Sequence, residues 1–395
     1  MKKIYLIIAG VFLSAILFYA LKIGLFYNKI YTPKNGNQIN TTPIPVKTNF
    51  SFLLLGYAGG NHAGTYLTDT IIVMHFDTKK KKALMISLPR DIWVKLPTKS
   101  GDDFHSKINT VYETELFPND FPDLDTKIAG NKSDAELTKY ILGEITGFQI
   151  DNYISIDFAS FTKSIDILGG VDINVTKAFE DEKYPAEGKE NDLCGKEEQF
   201  KQIEPYLNDL DATKSAEKEK LLKEKPELDE FLRNATASPE LVFPCRYEKI
   251  SFAKGTQHMD GSTALKFARS RQSPQDGGDF ARARRQQQVI EAVRARVFSV
   301  GFISKIPSLL DELDQYVKTD IGPEEITRIS KEIPNAGDYI LSSLVLSDEN
   351  ILSADRSTNG QFILIPETGE DDWESVQKFI RNNLEIITPP PIPKK

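Results

Sequence analysis

Residues 153–175 read YISIDFASFTKSIDILGGVDINV, and this stretch decides the fold class. Its first six residues are apolar or β-branched enough for a buried strand. Phe161, Ile165 and Leu168 then recur at helical spacing, Gly169-Gly170 stops the helix, and 171–175 is a second strand. Strand, helix and strand in succession predict a layered α/β domain. Upstream, 70–76 and 83–88 are two more apolar strands, separated by a lysine-rich turn at 79–82 that is too short for a parallel crossover. These two must therefore run antiparallel, and the sheet is expected to be mixed, not doubly wound. A short strand at 52–55 ends in Gly56 and leads into a glycine-rich loop, 59–64, that carries His62. Ser133 with Glu136 has capping-box spacing and opens a helix with the stripe Leu137, Ile141, Ile145 that stops at Gly147.

The flanks have other characters. Residues 4–21 form an uncharged, mostly apolar run behind Lys2 and Lys3, and there is no Asp or Glu before Asp69. Such a run is just long enough to span a bilayer as a helix. A cleaved signal peptide is the rival reading, but no clean cleavage site follows. The expected organisation is a transmembrane anchor with flanks at 1–30 and a Pro/Asn/Thr-rich linker at 31–49 that lifts the domain off the membrane. The main domain then spans 50–388, and 389–395 is a tail. Within the domain, 180–250 is dense in Glu and Lys yet carries Phe200, Ile203, Leu207 and Leu210, then Leu221, Leu228 and Leu232, at helical spacing. It reads as an inserted helical lobe. A C-terminal extension, 330–388, holds a strand at 362–365 and a helix around 373–380.

The chain has 395 residues, 40% of them hydrophobic and 27% charged, with a net charge of −8 and two cysteines. This composition is that of a globular protein. It excludes wholesale disorder, a nucleic-acid polycation and a cysteine-rich zinc protein. No Walker loop, G-x-S-x-G elbow, H-E-x-x-H or Ser-His-Asp order occurs.

The strongest chemical signal is arginine. Arg269, Arg271, Arg282, Arg284 and Arg285 flank the break at 273–278. Arg282, Arg285 and Gln286 share a helix face, and Asp279 is placed to cap that helix. Several guanidinium forks around one spot suit a phosphate or pyrophosphate; a solvated basic face is the alternative. Ser87-Leu88-Pro89-Arg90-Asp91 follows a buried strand, where Arg90 and Asp91 serve either a site or a loop-closing ion pair. Asp69 precedes another strand and suits Mg²⁺, which takes one or two carboxylates plus substrate oxygens, or else caps a turn.

In order along the chain come Gly56, Thr68-Asp69-Thr70, Ser87 to Asp91, Lys107-Ile108-Asn109 and Leu168-Gly169-Gly170-Val171-Asp172. Met259-Asp260-Gly261, Phe267 to Arg271, Asp279 to Arg282 and Arg285-Gln286-Gln287 follow. This series resembles the LytR-CpsA-Psr family of bacterial cell-envelope proteins over about residues 50–320. The resemblance implies a membrane-anchored phosphotransferase outside the cytoplasmic membrane. Such an enzyme moves a glycopolymer phosphate from a polyprenyl-pyrophosphate carrier to a peptidoglycan hydroxyl, with Mg²⁺. By motif matching, Arg90, Arg269, Arg271, Arg282 and Arg285 would cradle pyrophosphate with help from Gln286, and Asp69 would bind the metal. Asp91 and Asp279 are candidate proton acceptors beside Asp69. The sequence departs from the family pattern twice. Gly56-Tyr57-Ala58 lacks a carboxylate, and Leu67 stands where an arginine is usual; His62 is the candidate to compensate. A non-catalytic carrier-lipid or wall-polymer binding protein and a membrane-bound transcriptional attenuator are the alternative functions. In an extracytoplasmic compartment the two cysteines, Cys194 and Cys245, are expected to bridge the base of the lobe, which would then stand apart from the phosphate site.

Overall fold

The computed structural model describes residues 21–31 apart from 23 and 26, then 48–60, 64–125, 135–206, 212–297, 317–333 and 338–387. The expected membrane run up to residue 20, most of the linker, His62, Ser133 and the tail lie outside these described residues. The chain divides into two units, Met1–Asn174 with Thr256–Ala268 and Arg282–Lys395, and Val175–Gly255 with Arg269–Ala281.

Fourteen named strands occur among the described residues: β1 (Asn49–Tyr57), β2 (Thr68–Asp77), β3 (Lys82–Ser87), β4 (Trp93–Leu96), β5 (Phe104–Lys107), β6 (Asn152–Asp157), β7 (Val171–Val175), β8 (Phe179–Pro185), β9 (Tyr247–Phe252), β10 (Gly255–Met259), β11 (Val317–Thr319), β12 (Ile340–Val345), β13 (Leu352–Arg356) and β14 (Phe362–Pro366). The first unit is built on a six-stranded sheet in the order β11-β6-β1-β2-β3-β12. β1 pairs with β6 and β3 with β12 in parallel, whereas β1–β2, β2–β3 and β6–β11 are antiparallel. The lysine turn does close an antiparallel hairpin, and the sheet is mixed as expected. Leu53 and Leu55 of β1, Ile72 and Val73 of β2, and Met85 and Ile86 of β3 are fully buried. β7 leaves this sheet and pairs with β10.

Two ends are held differently from the sequence reading. The helix Glu136–Thr146 has Ala135 at its N-cap with no side-chain bond, and Ser133 of the expected capping box lies outside the described residues. Glu115, from the helix Val111–Leu116, accepts hydrogen bonds instead from the amides of Leu137 (2.9 Å) and Thr138 (3.3 Å) and from the Thr138 hydroxyl (3.1 Å). Burial raises the Glu115 carboxyl to about 7, against the opposing pull of those donors. At the other end of the sheet, the Tyr27 hydroxyl donates to the Ile321 carbonyl (2.9 Å), Tyr27 stacks on Tyr31, Tyr31 bridges to Thr319, and Ile30 is buried. The first unit thus already includes residues ahead of the linker. Among the described residues no helix is long and apolar enough to cross a membrane.

The second unit contains the charged insertion. Its helices Glu197–Ile203, Ala212–Glu224, Pro226–Ala237 and Pro239–Val242 stand on the antiparallel pair β8–β9. Ile203, Leu228 and Phe243 are buried, and Phe231 packs edge-on against Phe243. Cys194 and Cys245 form the expected disulfide, with Cα atoms 5.7 Å apart. Arg269–Ala281, which carries part of the arginine cluster, belongs to the same unit as the lobe.

Candidate functional site

In the first unit three predicted residues meet. Asp69, in the first residues of β2, accepts a hydrogen bond from Arg90 Nη1 at 3.0 Å, and Arg282 Nη1 lies 3.8 Å from the same oxygen. Leu88 is tied back to Ile71 (2.9 Å), so the Pro89-Arg90 departure from β3 occurs beside the start of β2. Arg282 arrives from the helix Gly278–Val297, on the face whose neighbours Ala281 and Val289 are 2% exposed. The Asp69 and Arg90 side chains remain about 30% accessible, while that of Arg282 is 8% exposed. This is a carboxylate flanked by two guanidinium groups and still reachable from solvent.

Asp91 points into a second ion pair. Lys107 Nζ donates to Asp91 Oδ1 at 2.5 Å, and Arg90 Nε lies 3.7 Å from Asp91 Oδ2. Sequence reading passed over Lys107 as a charge partner. Asn109, read in the sequence only as part of a motif, has a backbone that ties Arg90 (3.4 Å) and Thr68 (3.2 Å) together and a buried Oδ1 with no hydrogen-bond partner among the described residues. Arg285 is 2% exposed and gives its Nε to the Phe267 carbonyl (2.9 Å), so part of its fork braces the helix Gly261–Arg269. Gln286 is half-buried. Its neighbour Gln287 is the buried glutamine, donating to Ser87 Oγ (2.8 Å) and the Leu344 carbonyl (3.0 Å), which locks the helix to β3 and β12.

The second unit holds Arg269 and Arg271, whereas Arg284 falls with Arg282 and Arg285 in the first. Arg271 Nη2 donates to Asp279 Oδ2 at 2.7 Å. Asp279 lies in the first turn of its helix, which begins at Gly278, and so is not the N-cap. Arg271 Nε is buried with no hydrogen-bond partner among the described residues. The segment is pinned by Asp181 of β8, 1% exposed, whose Oδ2 accepts from Ser270 Oγ (2.6 Å), Gln272 N (3.0 Å) and Arg271 N (3.2 Å). Gly277 closes the turn where any Cβ would collide with the Ser273 carbonyl. Arg269 lies over the Tyr184 ring at 6.0 Å. Burial raises the Tyr184 hydroxyl while Arg269 lowers it, with a net upward shift.

The place where the family carboxylate is missing also has a neighbour. Tyr57 is paired in register with Asp157, and Gly59, with φ +71°, comes so close that a Cβ there would lie 2.9 Å from Asp157 Oδ2. Asp157 is buried and caps the helix Phe158–Leu168 through Ser160 N (2.8 Å), while burial and this carboxylate raise Tyr57 to about 12. His62 lies outside the described residues. For Mg²⁺, the donor set fits its chemistry: Asp69 offers a hard, solvent-accessible carboxylate, and Asn109 Oδ1 close by in the chain fold is an unmatched oxygen acceptor.

A sequence profile of the LytR_cpsA_psr family matches residues 27–370. The polyisoprenyl-teichoic acid–peptidoglycan teichoic acid transferase TagV of Bacillus subtilis (strain 168) is 26% identical over 300 residues, 75% of this chain and 56% of that protein. The chain thus spans little more than half the length of that relative. The transferase of the same title named TagU, from Halalkalibacterium halodurans, is 24% identical over 87% of this chain and 82% of its own. Regulatory protein MsrR of Staphylococcus aureus (strain COL) is 25% identical over 81% and 75%. The crystal structure of B. subtilis TagV superposes with a TM-score of 0.50 at 22% identity, covering 87% of this chain and 99% of that one. That superposition establishes the shared fold.

Proposed function

We propose, from the premise that this chain belongs to the LytR_cpsA_psr family, that it is a membrane-anchored, Mg²⁺-dependent phosphotransferase. It joins a glycopolymer phosphate, delivered on a polyprenyl-pyrophosphate carrier, to a peptidoglycan hydroxyl. The observation that carries this reading is the Asp69 carboxylate held by Arg90 and flanked by Arg282. Phosphoryl transfer asks for charge neutralisation and positioning more than covalent chemistry. Without substrate, Arg90 and Asp69 neutralise one another. An arriving pyrophosphate competes for the guanidinium forks, which frees the Asp69 carboxylate; Asp69 is the residue that would hold the metal. Bound Mg²⁺ would supply charge neutralisation on the phosphate oxygens.

The acceptor hydroxyl attacks the phosphorus bearing the glycopolymer, and the bond to the polyprenyl phosphate oxygen breaks. The carrier leaves as polyprenyl phosphate. Arg90 and Arg282 stabilise the charge that grows on that leaving group. Arg269 and Arg271 keep the phosphate-binding role implied by the motif match. Arg285 and Gln286 support it, Arg285 chiefly by bracing its neighbours. Asp91 and Asp279 are the proposed proton acceptors, each beside a cation that phosphate would draw away. Placement outside the cytoplasmic membrane is supported by the Cys194–Cys245 disulfide, which suits an oxidising compartment. The anchor is carried by the apolar run at 4–21.

The test is the full chain in detergent with a polyprenyl-pyrophosphate saccharide analogue. Magnesium-dependent release of polyprenyl phosphate supports the reading, and none at any Mg²⁺ concentration leaves a non-catalytic binding protein in its place. The MsrR relative, titled a regulatory protein, keeps a regulatory reading in view. A C-terminal topology reporter separates the two, since attenuation of transcription needs the domain inside the cell.

A further inference from the structure

The hairpin β4–β5 begins two residues beyond Asp91 and ends at Lys107, so one end of it belongs to the ion-pair cluster around Arg90. Trp93 pairs with Lys107 at that end and Leu96 with Phe104 at the other. Three residue steps of strand separate them, roughly 10 Å. Along the hairpin opens a cleft of about 400 Å³, enclosed also by the helix Glu136–Thr146 and the segment before the C-terminal helix Glu374–Glu385. Its floor is apolar, with Val94 and Ile145 buried. Its rim carries Tyr140, which is 43% exposed, and Trp373, together with Asp102, Glu144, Asp371 and Lys95. Phe104, paired with a lining residue, is exposed too.

We propose that this cleft binds the neutral glycan strand that accepts the transferred polymer, an inference that rests on the transferase reading above. Aromatic rings beside carboxylates are the chemistry that recognises a pyranose. The apolar C–H face of the sugar packs on the ring, and its hydroxyls donate to carboxylate oxygens in the plane. The charge selects between the two polymers of the reaction. Among the described residues three carboxylates line the cleft, while Lys95, its only lining cation there, is committed to Asp103 at 2.7 Å. A polyphosphate chain would be repelled there, whereas a hydroxyl-rich neutral saccharide would not. Asp371 is oriented by His105 Nε2 at 2.9 Å, and His105 is itself stacked on Trp93. Asp371 and Trp373 lie past residue 370, where the family match ends. The hairpin then places an acceptor hydroxyl within reach of the phosphate ligand Arg90.

The experiment uses the full chain in detergent, with an N-acetylglucosamine oligosaccharide as probe and poly(glycerol phosphate) as the anionic comparison. Binding is read by calorimetry and by tryptophan fluorescence, the chain having only Trp93 and Trp373. The expected result is saturable oligosaccharide binding that weakens at least tenfold in Trp373→Ala and in Tyr140→Ala. Acceptor-independent release of polyprenyl phosphate should be unchanged in both. Tyr140→Ala alters an exposed side chain and guards against misfolding of the Trp373 variant. No oligosaccharide binding, equal binding in both variants, or poly(glycerol phosphate) binding abolished by the same substitutions would overturn the proposal. Wild-type chain that binds the saccharide but releases no polyprenyl phosphate would instead sink the transferase reading and leave a glycan-binding cleft.

Discussion

Replacing Asp181 by asparagine should free the arginine segment while leaving the sheet intact. One carboxylate oxygen of Asp181 accepts from Ser270 Oγ, Arg271 N and Gln272 N, and the other accepts from Lys183 N at 3.0 Å. Asparagine keeps one acceptor and sets an N–H group against a donor on the other side. It also turns the surviving bonds from charge-assisted to neutral. Hydrogen bonds to a charged group are worth about 1.5–3 kcal/mol each and neutral ones about 1. Losing one bond and weakening the rest gives about 3 kcal/mol for this buried group. At about 1.4 kcal/mol per factor of ten, local opening of Ser270–Gln272 becomes roughly a hundredfold easier. Amide hydrogen exchange on the full chain reads this directly. Protection at Arg271 and Gln272 should fall by about that factor, while β1 and β2 amides such as Leu54 and Val73 keep theirs. Turnover of the pyrophosphate analogue should fall as well, although Asp181 touches no phosphate. Unchanged protection in the segment would refute the reasoning. So would an equal loss across β1 and β2, which would mean global destabilisation.

Glu115→Gln tests the buried cap: burial pushes the wild-type carboxyl up to about 7 from the 4.5 of an ordinary glutamate. Because its folded value is raised, the stability it allows is complete below about 4.5 and is lost as pH rises through 7, at most about 3 kcal/mol. Thermal melts at pH 5 and pH 8 should show wild type weakening against the variant at pH 8; a constant difference would contradict this. The disulfide closes a span of 51 residues, worth about 4 kcal/mol in the chain-entropy model. Reduction should speed proteolysis of 186–246, and titration of two free thiols in denatured, unreduced chain would rule the bridge out. Asp69→Asn should shift the Mg²⁺ requirement at least tenfold upward, and an unaltered magnesium titration would remove Asp69 from the metal's ligands.

The mixed sheet could be read in advance because its two informative features are local. The turn at 79–82 forbids a crossover, and the stretch 153–175 alternates strand, helix and strand. The sheet edges could not be read this way. β11 is three residues, VKT, and β12 reads ILSSLV, with serines where alternation would be diagnostic. Their places are set by partners: Asp320 accepts from Tyr153 N (2.8 Å) and Lys139 Nζ (2.5 Å), and Gln287 reaches the Leu344 carbonyl. Burial alone would lower Lys139, but Asp320 and Glu136 outweigh it and hold the ammonium charged. The arginines were legible as charge, and Asp69 gained meaning from motif order. Asp181 and Glu115 were not, since a carboxylate in a charged, helical stretch looks like surface until the chain folds its donors against it. Lys107 and Asn109 were visible as a motif, but nothing local showed that they meet Asp91 and Arg90.

The central claim, that Arg90 and Arg282 take the phosphate as Asp69 takes the metal, is tested most directly by transfer itself. Full-length chain would be supplied with a radiolabelled glycopolymer on polyprenyl pyrophosphate and with peptidoglycan, and label bound covalently to the wall fraction would be counted. The account predicts incorporation that requires Mg²⁺, stops with chelator, and falls about 10²- to 10³-fold in Arg90→Ala and in Arg282→Ala, the scale for removing one stabilising donor from a transition state. Incorporation that survives chelation, or that proceeds at the wild-type rate in Arg90→Ala, would contradict it.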